Sequence, residues 1–149
     1  MDDLGTYLSI ALLLALAFAL VRGVRRLAAA GRRRVELPVR PPELPLSQPW
    51  PGEIWWAMMP FADGSGAKDR PCLVLSVSAH SVVAAQITSK YHPHARDAIA
   101  LPPGSVDDRL DRPSYLRAAE RREVHLSALR RRVGPVCPEV WRRTRSRFL

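Results

Sequence analysis

The sequence predicts a small, mainly β domain of barrel type with short helices, preceded by one N-terminal transmembrane helix. Three observations carry this expectation. Leu4 to Val21 run for 18 residues without a charge, and at ~1.5 Å per residue they reach roughly 27 Å, the thickness of a bilayer core. Residues 35–50 hold five of the 14 prolines, and proline fixes φ and removes amide donors, so this stretch reads as an extended spacer. From Pro51 onward, short apolar runs alternate with Gly, Pro and Asp, the pattern of short antiparallel strands. The chain thus divides into an anchor with an Arg collar (1–34), a Pro-rich linker (35–50) and one domain (51–149). With 149 residues there is room for no more than one ordinary domain.

The anchor also predicts an orientation. Asp2 and Asp3 precede the apolar run, whereas Arg22, Arg25, Arg26 and Arg32 to Arg34 come after it. A cleaved signal peptide would start positive instead. The positive-inside rule then places the N-terminus outside a plasma membrane, with a single pass and the domain on the cytoplasmic side. Cys72 and Cys137 are too few for a disulfide scaffold and suit a reducing compartment. The formal net charge is +9, but it is unevenly placed. Residues 1–34 carry +4, residues 35–129 carry −1 and residues 130–149 carry +6. The basic character therefore belongs to the collar and the tail, either of which can meet an anionic partner such as nucleic acid or lipid.

Within the domain, Glu53 to Met59 have the length and aromatic content of a strand, stopped by Pro60. Phe61 to Asp69 form a loop by composition. Cys72 to Val77 and Val82 to Thr88 are apolar on both faces and should lie centrally, joined by a turn near Ser78 to Ser81. Ala98 to Leu101 add a fourth strand, and the segments around Tyr115 to Arg117 and Arg122 to His125 one or two more. Ser127 is expected to cap a short helix through Val133, with Gly134 as its stop. Pro138 and Glu139 open a last helix.

Candidate chemistry gathers at the ends of the two central strands. Arg70 starts one and Thr88 ends the next, so a hairpin brings them together beside the Gly/Ser loop. A guanidinium offers a planar fork of donors and a hydroxyl one more, which suits a phosphate group. Trp55, Trp56 and Phe61 are aromatics on which a base could stack, or core side chains. His92 and His94 form a lone H-x-H pair without the further ligands a metal needs. Cys72 sits mid-strand and reads as core, so no Cys-His or Ser-His-Asp arrangement is evident.

The order Pro51-Gly52-Glu53-Ile54-Trp55-Trp56, a Gly/Ser loop, Arg70-Pro71-Cys72-Leu73-Val74-Leu75-Ser76, then Ile87-Thr88-Ser89 resembles the PemK/MazF family of toxin ribonucleases. Glu123 to Leu129 and Val133-Gly134 look like that family's closing elements. The resemblance covers about residues 51–135. It implies an SH3-like barrel, usually a homodimer, that cuts single-stranded RNA without metal or cofactor and is held in check by a cognate antitoxin. Position by position it implies Arg70 and Thr88 as catalytic residues and Ser65 as an RNA contact. Lys68, Gln86 and Ser89 are expected beside them in substrate binding. The chain departs from the family pattern at Gly66-Ala67-Lys68, where an acidic residue is frequent, and at Glu123, where a polar amide is frequent. A second reading keeps the fold and the membrane partner (residues 4–21) but makes the domain a non-catalytic nucleic-acid- or protein-binding module.

Overall fold

A computed structural model describes residues 36–91, 95, 97–110 and 112–148. The expected transmembrane segment, the Arg collar and the His92-Pro93-His94 pair lie outside these residues. Among the described residues, no helix is long and apolar enough to cross a membrane.

Among the described residues, six strands form one antiparallel sheet: β1 (Glu53–Pro60), β2 (Ala67–Val77), β3 (Ser81–Thr88), β4 (Ala98–Ala100), β5 (Tyr115–His125) and β6 (Leu129–Pro135). The order across the sheet is β4-β5-β3-β2-β1-β6, with one C-terminal helix, Pro138–Phe148. This is the mainly β class that the strand pattern predicts, and the hydrogen-bonded ladder is an open one with β4 and β6 at its ends.

The two apolar runs do occupy the middle. Strand residues alternate between faces, and both faces are covered. Leu73, Leu75, Ala85 and Ile87 join Ile54, Leu116 and the helix residues Val140 and Trp141 in one core. Cys72, Val74, Val82 and Ala84 join Trp55, Ala57, Met59 and Val124 in a second core on the other face. Cys72 is fully buried there, and burial pushes its thiol up to about 12, so it stays uncharged.

Three local expectations change. The loop expected over Phe61 to Asp69 ends at Gly66, because Ala67 to Asp69 pair with β1 as the start of β2. Ser127 does not cap a helix running to Val133. A single 3₁₀ turn, Leu126–Ala128, leads at once into β6, because pairing with β1 satisfies that backbone instead. The two short segments around Tyr115 and Val124 are one strand, β5, interrupted where its register against β3 shifts between Ala85 and Gln86.

The proline-rich stretch, expected to be an extended spacer, turns twice and docks as a strap. Two turns, closed by Leu44 N–H to Pro41 O at 3.1 Å and Gln48 N–H to Pro45 O at 2.9 Å, wrap the guanidinium of Arg40. Its Nη2 donates to Gln48 O at 2.8 Å and to Pro45 O, and its Nη1 to Glu53 Oε1 at 2.8 Å. Leu37 packs on the first core. Gly52, at φ 87°, permits this approach, since a Cβ there would stand 3.0 Å from Leu37 Cδ2.

Glu53 is the knot. It is 3% exposed and accepts from Arg40, from Arg132 Nε at 2.8 Å, from Trp55 Nε1 at 3.1 Å and from the Trp50 amide at 3.1 Å. Burial alone would raise its carboxyl, but hydrogen bonds from Arg132 and Trp55 and the charges of Arg132 and Arg40 hold it below the ordinary value of 4.5. Its contribution to stability is therefore complete above pH 4.5 and lost as the pH falls through the lowered native value. Glu53→Ala, which leaves two arginines facing an empty site, should cost about 3–5 kcal/mol in chemical denaturation and flatten the loss of stability on acidification. A variant as stable as the parent would contradict this role.

Candidate phosphate-binding site

The β2–β3 ladder runs from Val77 and Val82 to Cys72 and Gln86, where hydrogen-bonded pairing stops. Arg70 and Thr88 each lie two residues beyond that last pair. Both are half-buried. Past the end of the ladder opens a cleft of about 500 Å³ that both residues line. Lys68, Gln86 and Ser89, expected beside them, line the same cleft.

Arg70 is set by β1, for its Cα pairs with Ala57. Its guanidinium lies 6.0 Å from the centroid of the Phe61 ring, which caps the loop end of β1. Thr88 Oγ1 accepts from the Lys90 amide at 3.1 Å. That bond uses an oxygen lone pair and leaves the hydroxyl proton free to be donated.

Charge in the cleft is mixed, and the pairing decides which cations are available. Arg112 is held by Asp108 at 2.7 Å, and this guanidinium keeps the Asp108 carboxyl below its ordinary range. Arg117 is shared between Glu120 at 2.8 Å and Asp97 at 3.5 Å. Asp69 takes Arg130 at 2.9 Å. Among the described residues, Lys68, Arg70 and Lys90 line the cleft without a carboxylate partner. Of these, Arg70 alone offers the planar fork that fits two oxygens of one phosphate.

Ser65 stands apart. It is exposed in the β1–β2 loop, outside the residues that line the cleft, and its amide and hydroxyl both donate to Asp63 Oδ1, at 3.0 and 2.7 Å. Those bonds hold the Asp63 carboxyl below its ordinary value. Glu123, which could have repelled a phosphate, is also elsewhere. It pairs with Val83, far along β3 from Thr88, and accepts from Ser81 Oγ at 2.6 Å. The carboxylate that β5 brings to the cleft is Glu120. The cleft residues of β5 and of the connection before it could not be read from the sequence, because the β5 irregularity sets Arg117 rather than its neighbours opposite Gln86. Trp56, by contrast, was visible as one of two adjacent aromatics. Alternation sends Trp55 to the second core and leaves Trp56 half-buried at the cleft.

The model of a protein family described as the PemK-like, MazF-like toxin of type II toxin-antitoxin systems matches residues 51–148. The chain belongs to this family. Among solved structures, MazF from Deinococcus radiodurans shares 21% identity, with 66% of this chain and 90% of that one covered and a TM-score of 0.51. An endoribonuclease in complex with its cognate antitoxin from a mycobacterial species shares 22% identity over 66% of this chain and 88% of that one, at a TM-score of 0.49. No curated protein matches the chain. The Deinococcus likeness extends to the fold, and the PemK/MazF-type match covers every strand described above as well as the C-terminal helix.

Proposed function

We propose that this PemK/MazF-type chain is a metal-independent endoribonuclease that cuts single-stranded RNA through the substrate's own 2′-OH. The 2′ oxygen attacks the adjacent phosphorus, forming one P–O bond as the bond to the 5′ oxygen breaks. Water takes up the 2′ proton and supplies one to the departing 5′ oxygen. The products are a 2′,3′-cyclic phosphate and a 5′-OH. Arg70 donates to the phosphorane oxygens, and Thr88 donates its free hydroxyl proton to the same charge. Both act by preorganised electrostatic stabilisation.

The observation that carries this reading is that Arg70, free of any carboxylate among the described residues, and Thr88 line one cleft. Family membership supports it, because toxins of type II systems act opposite an antitoxin. A cognate antitoxin that covers the cleft and a homodimeric assembly belong to the same proposal. Single-stranded RNA suits a cleft lined by Trp56, since unpaired bases can splay and stack. The carboxylates of Asp69, Asp108 and Glu120 in the cleft favour the second reading, a module that binds without cutting.

Residues 4–21 complete the proposal as a single-pass tether that holds the domain at the inner face of the plasma membrane. The full chain should stay with the membrane fraction after an alkaline wash, and removal of residues 4–21 should release it. Recovery of the intact chain in the wash would contradict the tether.

The catalytic reading is tested by incubating the purified full chain with single-stranded RNA in excess chelator. Cleavage should persist, and Arg70→Ala or Thr88→Val should lower its rate by about 10²–10³. Cleavage that disappears with chelator, or that both variants retain, would contradict it. Tight binding of RNA that stays intact would establish the binding module instead.

A further inference from the structure

The C-terminal helix has two unlike sides. Val140, Trp141 and Thr144 are buried, and Val140 and Trp141 belong to the first core. That spacing is one stripe of a helix. Away from the stripe the helix is basic. Arg142 shares its charge with Glu139, whereas Arg143 and Arg145 have no carboxylate partner among the described residues. Arg145 is exposed and Arg143 half-buried. Residues 138–149 carry four Arg against Glu139, a net side-chain charge of +3. No residue of the helix lines the Arg70–Thr88 cleft, so the phosphate site does not account for this charge.

The strap enters the domain beside this helix. A Cβ at Gly52 would stand 3.0 Å from Leu37 Cδ2, 3.4 Å from Pro38 Cδ and 3.8 Å from Trp141 Cδ2. The first residues of the strap and the first turn of the helix therefore meet over one glycine. Glu36, exposed at the start of the strap, subtracts one charge and leaves the two elements together positive.

Docking of the strap also shortens the tether. With Leu37 on the core and Arg40 on Glu53, residues 22–35 are what separates the apolar run from the strap in sequence. These 14 residues reach at most about 50 Å when fully extended. Over so short a reach a weak contact with the bilayer surface becomes effectively intramolecular.

We propose that the outward side of the C-terminal helix, through Arg143 and Arg145, lies on anionic lipid head groups. This rests on the tether formed by residues 4–21 and extends it from attachment to orientation. Each basic side chain near an anionic surface favours the docked state about fivefold, and salt screens that attraction. The contact leaves the Arg70–Thr88 cleft unoccupied, because the helix contributes nothing to its lining. Cations near a helix C-terminus also suit the helix dipole, but the dipole does not distinguish neutral from anionic lipid.

The full chain, incorporated in lipid nanodiscs, tests this. A dye is placed at Ser146→Cys in a Cys137→Ala background, Cys72 being buried, and energy transfer to a head-group-labelled lipid reports docking. Transfer should be greater in discs containing phosphatidylglycerol than in pure phosphatidylcholine discs, and high salt should abolish the difference. Arg143→Gln and Arg145→Gln should each lower the docked-to-free ratio about fivefold in anionic discs and leave it unchanged in neutral ones. Equal transfer in both kinds of disc, or undiminished transfer in the double variant, would overturn the proposal. Loss of single-stranded RNA binding in the double variant with lipid transfer intact would assign the face to RNA instead and overturn it too. Incorporation into both discs without any dependence on lipid charge would leave the tether standing and remove the docking face. A chain that stays out of neutral discs yet binds anionic ones in a salt-sensitive, Arg143- and Arg145-dependent way would do the reverse. A chain that elutes apart from both would sink the two together.

Discussion

Burial of β2 and β3 on both faces is the constraint on which the site depends. Leu73, Leu75, Ala85 and Ile87 fill one core while Cys72, Val74, Val82 and Ala84 fill the other. A slip of one residue would exchange the two sets between cores of different shape, so the register is strongly specified. That register ends at Cys72 and Gln86. The neighbouring residues of both strands are thereby delivered to a fixed place at the end of the ladder, Arg70 from β2 and Thr88 from β3. The precision of the proposed phosphate site thus rests on apolar packing several residues away from it.

The electrostatics serve the same end. Arginine dominates the basic residues, 21 of 23, yet in and around the cleft most arginines are committed to carboxylates. Arg112, Arg117, Arg130 and Arg131 each have one. These pairs are largely solvent-accessible and add little to stability. Their effect is to leave Arg70, among the described residues, as the guanidinium of the cleft without a carboxylate partner and to hold the surrounding side chains in place. Glu53 does the opposite job at the far end of β1, where a buried carboxylate gathers Arg40, Arg132, Trp50 and Trp55 and so ties the strap, β1 and β6 into one body.

Much of this was legible in the residues. The two-faced apolar runs and the stop at Pro60 mark β1 to β3, and Pro138-Glu139 mark the last helix. That Arg70 and Thr88 line one cleft follows from their places just beyond the paired part of the β2–β3 hairpin. The illegible parts depend on partners distant in sequence. Nothing in the prolines of the strap announces that Arg40 will reach Glu53, thirteen residues on. The Ser127 signal is locally sound for a helix, but the backbone after Ala128 finds β1 first. The choice between Glu120 and Glu123 at the cleft hangs on a register irregularity in β5 that composition does not encode. Asp69 reads as a loop acid until β6 sets Arg130 against one oxygen and the fold shields the other.

The central claim is that a phosphate held at the end of the β2–β3 ladder is attacked by its own neighbouring 2′-OH. A single-stranded RNA carrying one deoxyribose at the cut position tests this most directly. The account predicts that this strand binds as the all-ribose strand does, stays whole at that bond, and is still cut at any second site that keeps its hydroxyl. Scission at the deoxy position at an undiminished rate would show that another nucleophile is at work and would contradict the account.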